Sequence, residues 1–129
     1  MVILGIDPGI AIVGYGIIEY KNNKFRVIDY GAVTTNANTP TDQRLALVYK
    51  GIDILIKNYN IDEVAIEELF FNKNVKTAIT VAQARGVIML ACTHNNKPIY
   101  EYTPLQFKQG VVGYGRAQKM QVQQMVTSL

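Results

Sequence analysis

Apolar positions along the chain follow two periods, and the switch between them sets out the architecture. Val2 to Asp7 is a short apolar run closed by Asp7-Pro8-Gly9, a turn signal that ends a strand. Ile12 to Tyr20 and Phe25 to Thr35 are rich in Ile, Val and Tyr, with Lys21-Asn22-Asn23-Lys24 between them. That spacing predicts a hairpin, so the chain opens as a three-strand antiparallel meander. Gly14, Gly16 and Gly31 inside these strands point to bulges or to close backbone approach.

The period then lengthens. Thr39 is placed as an N-cap with Pro40 in the first helical position and Asp42 as the capping acid. Leu45, Val48, Ile52, Leu55 and Ile56 give one apolar face through about Tyr59. Glu63 to Glu68 reads as a strand, Val75 to His94 as a second long helix, and Pro98 to Tyr102 as a strand. Ala78, Ile79, Ala82, Gly86, Met89 and Leu90 lie along one side of that second helix, where small residues permit close approach. A short helix from Thr103-Pro104 to about Val112 and a last helix over Gln118 to Leu129 complete the order β-β-β-α-β-α-β-α-α. The expected class is α/β, a mixed β-sheet with an antiparallel meander plus parallel strands, flanked by helices.

Composition changes this picture little. The chain has 129 residues, 49% hydrophobic and 18% charged, which fits one globular domain and excludes a disordered or fibrous chain. No apolar run is expected to reach a membrane span, no export signal is expected at the strand-like N-terminus, and the lone Cys92 fits a reducing compartment, the cytoplasm. Charge says more. Residues 1–68 carry six Lys/Arg against nine Asp/Glu, whereas residues 69–129 carry seven against Glu101 alone. A basic half of this kind suits a polyanionic partner, although a solvated basic surface has the same composition.

Candidate chemistry sits at strand ends. Asp7 leaves the first strand where open α/β sheets place ligands, and Gly9 makes room beside it, although Asp-Pro-Gly is also an ordinary turn. Glu67 and Glu68 end the fourth strand, and alternation lets only one of them share a face with Asp7. Paired carboxylates at neighbouring strand ends are hard oxygen donors of the kind that hold Mg2+ for phosphodiester hydrolysis. Phe70 and Phe71, followed by Asn72-Lys73-Asn74, are candidates for stacking on bases, with core burial the ordinary alternative. Lys108, Arg116 and Lys119 surround Gly113-Tyr114-Gly115 and suit contacts to a phosphate backbone. No Walker loop, dinucleotide fingerprint, zinc pair or Ser-His-Asp set is present.

Together, G-I-D-P-G at 5–9, A-I-E-E-L-F at 65–70 with Asn74 following, Q-A-R-G at 83–86, Y-T-P at 102–104 and K-Q-G-V-V-G-Y-G-R-A-Q-K-M-Q-V at 108–122 resemble RuvC-type Holliday-junction resolvases. The resemblance spans essentially the whole chain. It implies a ribonuclease H-like fold and a homodimer that binds four-way junction DNA in recombination and repair, with a branch-migration helicase complex as a further partner. It also implies hydrolysis of two opposed strands, dependent on Mg2+ or Mn2+, two ions per complete active site. Asp7 matches the first catalytic, metal-binding carboxylate and Glu67 the second. Phe70 matches the aromatic that enters the junction centre, and Lys108 and Lys119 match basic residues near the active site, while Val75 onward looks like the dimer-forming helix. Asn74 and Arg116 join the expected DNA-contacting set. The family continues into a helix with two more aspartates, whereas no acid follows Glu101 here. The expectation is therefore a single nuclease domain, 1–129, truncated at its C-terminus, with a catalytically impaired junction-binding module as the alternative. A third reading, a phosphate loop of an actin- or sugar-kinase-like ATPase, needs two such domains.

Overall fold

Asn22 and Asn23 both hold positive φ, 54° and 60°, the left-handed pair that a two-residue hairpin requires and that asparagine tolerates. They join β2 (Ile12–Lys21) to β3 (Lys24–Thr34), as the sequence predicts. The computed structural model describes residues 1–68 and 75–102. Within these, β1 (Val2–Asp7) pairs antiparallel with β2, and β2 with β3. On the other side of β1, β4 (Glu63–Glu67) and then β5 (Ile99–Tyr102) add in parallel, giving the order β3-β2-β1-β4-β5. The expected mixed sheet, a meander extended by parallel strands, is the observed one. The short helix expected from Thr103 and the last helix lie outside the described residues.

Two helices make the crossovers, α1 (Thr41–Asn58) and α2 (Val75–His94). The predicted N-cap of α1 needs correction. Pro40, with ψ 145°, is itself the cap residue, and no side chain caps the helix. An extended Pro40 starts the helix one residue later than Thr39 would. Its carbonyl accepts the first helical bond, from the Arg44 amide. α2 ends in a Schellman motif: Asn96 is left-handed at φ 57°, its amide donates to the Thr93 carbonyl, and Lys97 N–H donates to Cys92.

Alternation along the strands decides which face the helices cover. Leu4 and Ile6 of β1, Val13 and Ile17 of β2, and Val64 and Ile66 of β4 are buried with Val48, Ile52, Leu55 and Ile56 of α1 and Ile88, Ala91 and Cys92 of α2. Leu4 stands between Ile17 and Val64 in the sheet. Each large aliphatic side chain removed from water here contributes about 1.5–3 kcal/mol. α1 lies so close to β3 at Gly51 that a Cβ there would meet a Val33 methyl at 2.8 Å. Burial pushes the Cys92 thiol up to about 12.

α2 corrects one expectation and divides another. Of the stripe Ala78, Ile79, Ala82, Gly86, Met89 and Leu90, Met89 packs partly buried against the core while Ile79, Ala82, Gly86 and Leu90 are exposed, and the buried face is Ala84, Ile88, Ala91 and Cys92. The helix is also long and apolar enough, by length and composition, to cross a membrane. Only Lys76 and Arg85 carry charge along it. In this fold it is a packed helix against α1 and the sheet, and Arg85 pairs with Glu101 of β5 at 2.6 Å.

Ile52 and Ile54 offer a direct test of this packing, since one is fully buried and the other 45% exposed. Ile52→Ala is expected to lower unfolding free energy by about 2–5 kcal/mol. Ile54→Ala is expected to stay within about 1 kcal/mol. Urea denaturation followed by circular dichroism measures both.

Candidate active site

The parallel register of β1 and β4 creates the site. Ile6 pairs with Ile66, and both point into the helix-covered core. The next residue on each strand therefore points to the opposite face. Those residues are Asp7 and Glu67, partly buried and hydrogen-bonded to each other through their carboxyl groups. Glu68 lies just past the end of β4 and is exposed, and its amide donates to the Tyr102 carbonyl at 2.8 Å.

Two carboxylates this close cannot both ionise freely. Burial, then the hydrogen bond with Asp7 and its negative charge, pushes Glu67 up to about 7. Burial also raises Asp7, while the bond from Glu67 works in the opposite direction. Both carboxyl groups are thus pushed toward their protonated forms, and they titrate as a pair. On the other flank of Asp7 its partner in β2 is Gly14, so no side chain stands beside the carboxyl there.

The turn after Asp7 is tight. A Cβ at Gly9 would lie 2.3 Å from the Ile12 carbonyl oxygen. Thr35, just past β3, reaches this turn twice: its amide donates to the Ala11 carbonyl at 3.0 Å and its hydroxyl to that of Ile10. Arg44 Nε donates to the same hydroxyl at 2.9 Å. Neither Thr35 nor Arg44 is marked by any sequence motif, because Thr35 reaches Ile10 across 25 residues and Arg44 reaches only Thr35, nine residues away.

One member of the basic half is redirected. Arg85 is only 16% exposed at its side chain and faces Glu101 rather than solvent. Its Nε is buried without a partner. Phe70, Asn74, Lys108, Arg116 and Lys119 lie outside the described residues. Among the described residues no group of three His, Cys, Asp or Glu side chains converges, so Asp7 and Glu67 stand as a pair.

A family model described as crossover junction endodeoxyribonuclease RuvC matches residues 3–129. The chain belongs to the RuvC family. It is 81% identical over 128 residues to the RuvC of Clostridioides difficile (strain 630), covering 99% of this chain and 76% of that protein. The RuvC of Alkaliphilus oremlandii is 62% identical, covering 100% of this chain and 79% of the relative. Among solved structures, Thermus thermophilus RuvC in complex with a Holliday junction substrate superimposes with a TM-score of 0.82 at 32% identity, over 97% of this chain and 76% of that one. A yeast mitochondrial Holliday junction resolvase, 12% identical with a TM-score of 0.66, shares the fold. The likeness to RuvC thus runs through the sheet that carries Asp7 and Glu67 and confirms the expected family and fold.

The raised pKa of Glu67 sets a pH dependence. Glu67 has its folded pKa raised from the ordinary 4.5 to about 7, so the folded state holds a proton that the unfolded chain releases. Its contribution to stability is full below about 4.5 and is lost as pH rises to about 7. Without divalent ions, Glu67→Gln is expected to gain stability relative to the parent between pH 4.5 and 7.5. Urea titrations in EDTA at both pH values would show a constant difference if the two carboxyls did not interact.

Proposed function

We propose that this RuvC-family chain is a structure-selective endodeoxyribonuclease that resolves four-way DNA junctions by symmetric phosphodiester hydrolysis. The observation that carries this reading is the pair of carboxyl groups, Asp7 and Glu67, hydrogen-bonded to each other at adjacent strand ends. Their donor chemistry fits a hard divalent cation: two oxygen ligands, a like-charge repulsion that a cation relieves, and a neighbour, Gly14, that adds no side chain. Asp7 and Glu67 would hold Mg2+, with Mn2+ as the alternative and two ions in the complete centre. When bound there, Mg2+ lowers the pKa of attached water and neutralises charge developing on the phosphate.

The chain's own residues do the rest. The rigid β1–β4 pairing keeps the two carboxylates aimed at one point, and the core on the opposite face prevents their strands from sliding. Phe70 is assigned to the junction centre, and Asn74, Lys108, Arg116 and Lys119 to the DNA backbone. Phosphate contacts of that type position the duplex arms without reading sequence. A second copy of the chain is assigned to the exposed side of α2, where Val75, Ile79 and Leu90 are 70%, 54% and 49% exposed. A Cβ at Gly86, between them, would meet nothing within 4 Å. A homodimer supplies two sites for two opposed strands. Work in the cytoplasm beside a branch-migration helicase complex fits this activity.

A second reading, junction binding without turnover, is favoured by the absence of a third ligand among the described residues. Labelled four-way junction and matching linear duplex, each in Mg2+ and in EDTA, separate the two. Symmetric nicks in the junction alone are expected with metal, reduced to background in Asp7→Asn and in Glu67→Gln while junction binding persists. Retained cleavage in Asp7→Asn would sink the assignment of the pair. Junction-selective binding with no nicks in any arm would establish the second reading.

The dimer assignment is tested separately. Leu90→Arg is expected to convert the dimer to a monomer in sedimentation velocity with the helical signal unchanged. An unchanged dimer would move the interface off this side of α2.

A further inference from the structure

β1 is held by pairing on both sides up to Ile6 and by β2 at Asp7, where Asp7 still opposes Gly14. The sheet then lets go of the chain, and Pro8 to Ala11 turns back into β2. The direction in which Asp7 leaves the sheet thus depends on what fastens this turn. Thr35 does so with two bonds, through its amide to Ala11 and through its hydroxyl to Ile10. Arg44, in the first turns of α1, donates from Nε to the same hydroxyl oxygen at 2.9 Å.

The chemistry of the three groups gives this chain a fixed direction. A guanidinium only donates, a carbonyl only accepts, and a hydroxyl has a single proton to give. With Arg44 occupying a lone pair of the oxygen, the Thr35 proton can go only to the Ile10 carbonyl. Charge on the donor strengthens that first bond, and bonds in series polarise one another. We propose that Arg44 and Thr35 form a relay that positions the Pro8–Ala11 turn, and through it the Asp7 carboxyl relative to Glu67. Both are positioning residues, linking α1 and β3 to the end of β1. The inference rests on Asp7 and Glu67 being the cation-binding pair proposed above.

The test uses Thr35→Val, which keeps the side-chain shape and removes the hydroxyl, with Thr35→Ser as the conservative rescue. Arg44→Met removes the donor and keeps an apolar stem. Hydrogen exchange by mass spectrometry reads peptides covering residues 8–14 and 33–37. Thermal shift against Mn2+ concentration reads the cation site without requiring turnover. In Thr35→Val the two segments are expected to exchange about tenfold faster, as loss of one buried bonded group implies, while peptides around Ile52 and Ile88 keep parental rates. The Mn2+ midpoint rises by a similar factor, and Thr35→Ser restores both. Arg44→Met moves both readouts the same way, and combining it with Thr35→Val adds little, because the bonds act in series. Unchanged exchange over 8–14, or uniform acceleration in all peptides, would overturn the relay. An Mn2+ midpoint that ignores Asp7→Asn would instead remove the cation-pair reading, and the exchange rates alone would then judge the relay.

Discussion

Everything at this site depends on a one-residue rule of parallel pairing. Ile6 and Ile66 are neighbours in register and both are committed to the core, so the residues that follow them are neighbours on the opposite face. Shifting β4 by a single position would turn Ile66 out of the core and bring Glu67 in, an exchange that the buried aliphatic cluster forbids. The hydrophobic effect thus supplies the force that holds two like charges together. The raised pKa of Glu67 expresses that opposition, because neutralising one carboxyl is cheaper than moving a strand.

The same constraint explains why the two sides of the sheet are built from different residues. The helix side is filled with Ile, Val and Leu from five elements. On the site side, β1 and β2 place Gly5 against Gly16 and Asp7 against Gly14, and β4 offers Ala65 opposite Gly5. Small residues around the acidic pair add no bulky side chain beside the carboxyl groups. A site that needs a fixed spacing between oxygens is served better by paired strands than by loops. Only the turn after Asp7 escapes the ladder, and that is where side-chain hydrogen bonds gather.

Much of this was legible in the chain before any coordinates. Strand and helix positions followed the alternation of apolar residues, and Asn22-Asn23 announced its own turn. Asp7 and Glu67 stood out as acids at the ends of apolar strands, although a turn or a solvated strand end accounts for either one alone. What escaped notice has a common physical cause. Thr39 looked like a cap, but the conformation of Pro40 settled the helix start. Arg85 was counted with the basic half, but an acid 16 residues later in β5 turns it inward. Thr35 and Arg44 are ordinary residues whose role arises only when β3, α1 and the turn meet. Composition and period report what a residue prefers, whereas these four depend on which partner the fold delivers.

α2 joins these themes, since its sequence gave the least faithful picture of its surroundings. A helix with one apolar stripe shows a clear period, but α2 carries apolar or small residues on both its core side and its exposed side. With both sides apolar, the period fades and the helix acquires the composition of a membrane span. Its one mid-helix charge argues against that reading on physical grounds. Arg85, mostly buried, is paired with the exposed Glu101 and anchors α2 to β5, the strand whose Tyr102 carbonyl accepts from Glu68 beside the acidic pair. A helix apolar on two sides and tied to the sheet by an ion pair meets its own core with one side and leaves the other exposed, and that exposed side is the one proposed above to take a second copy.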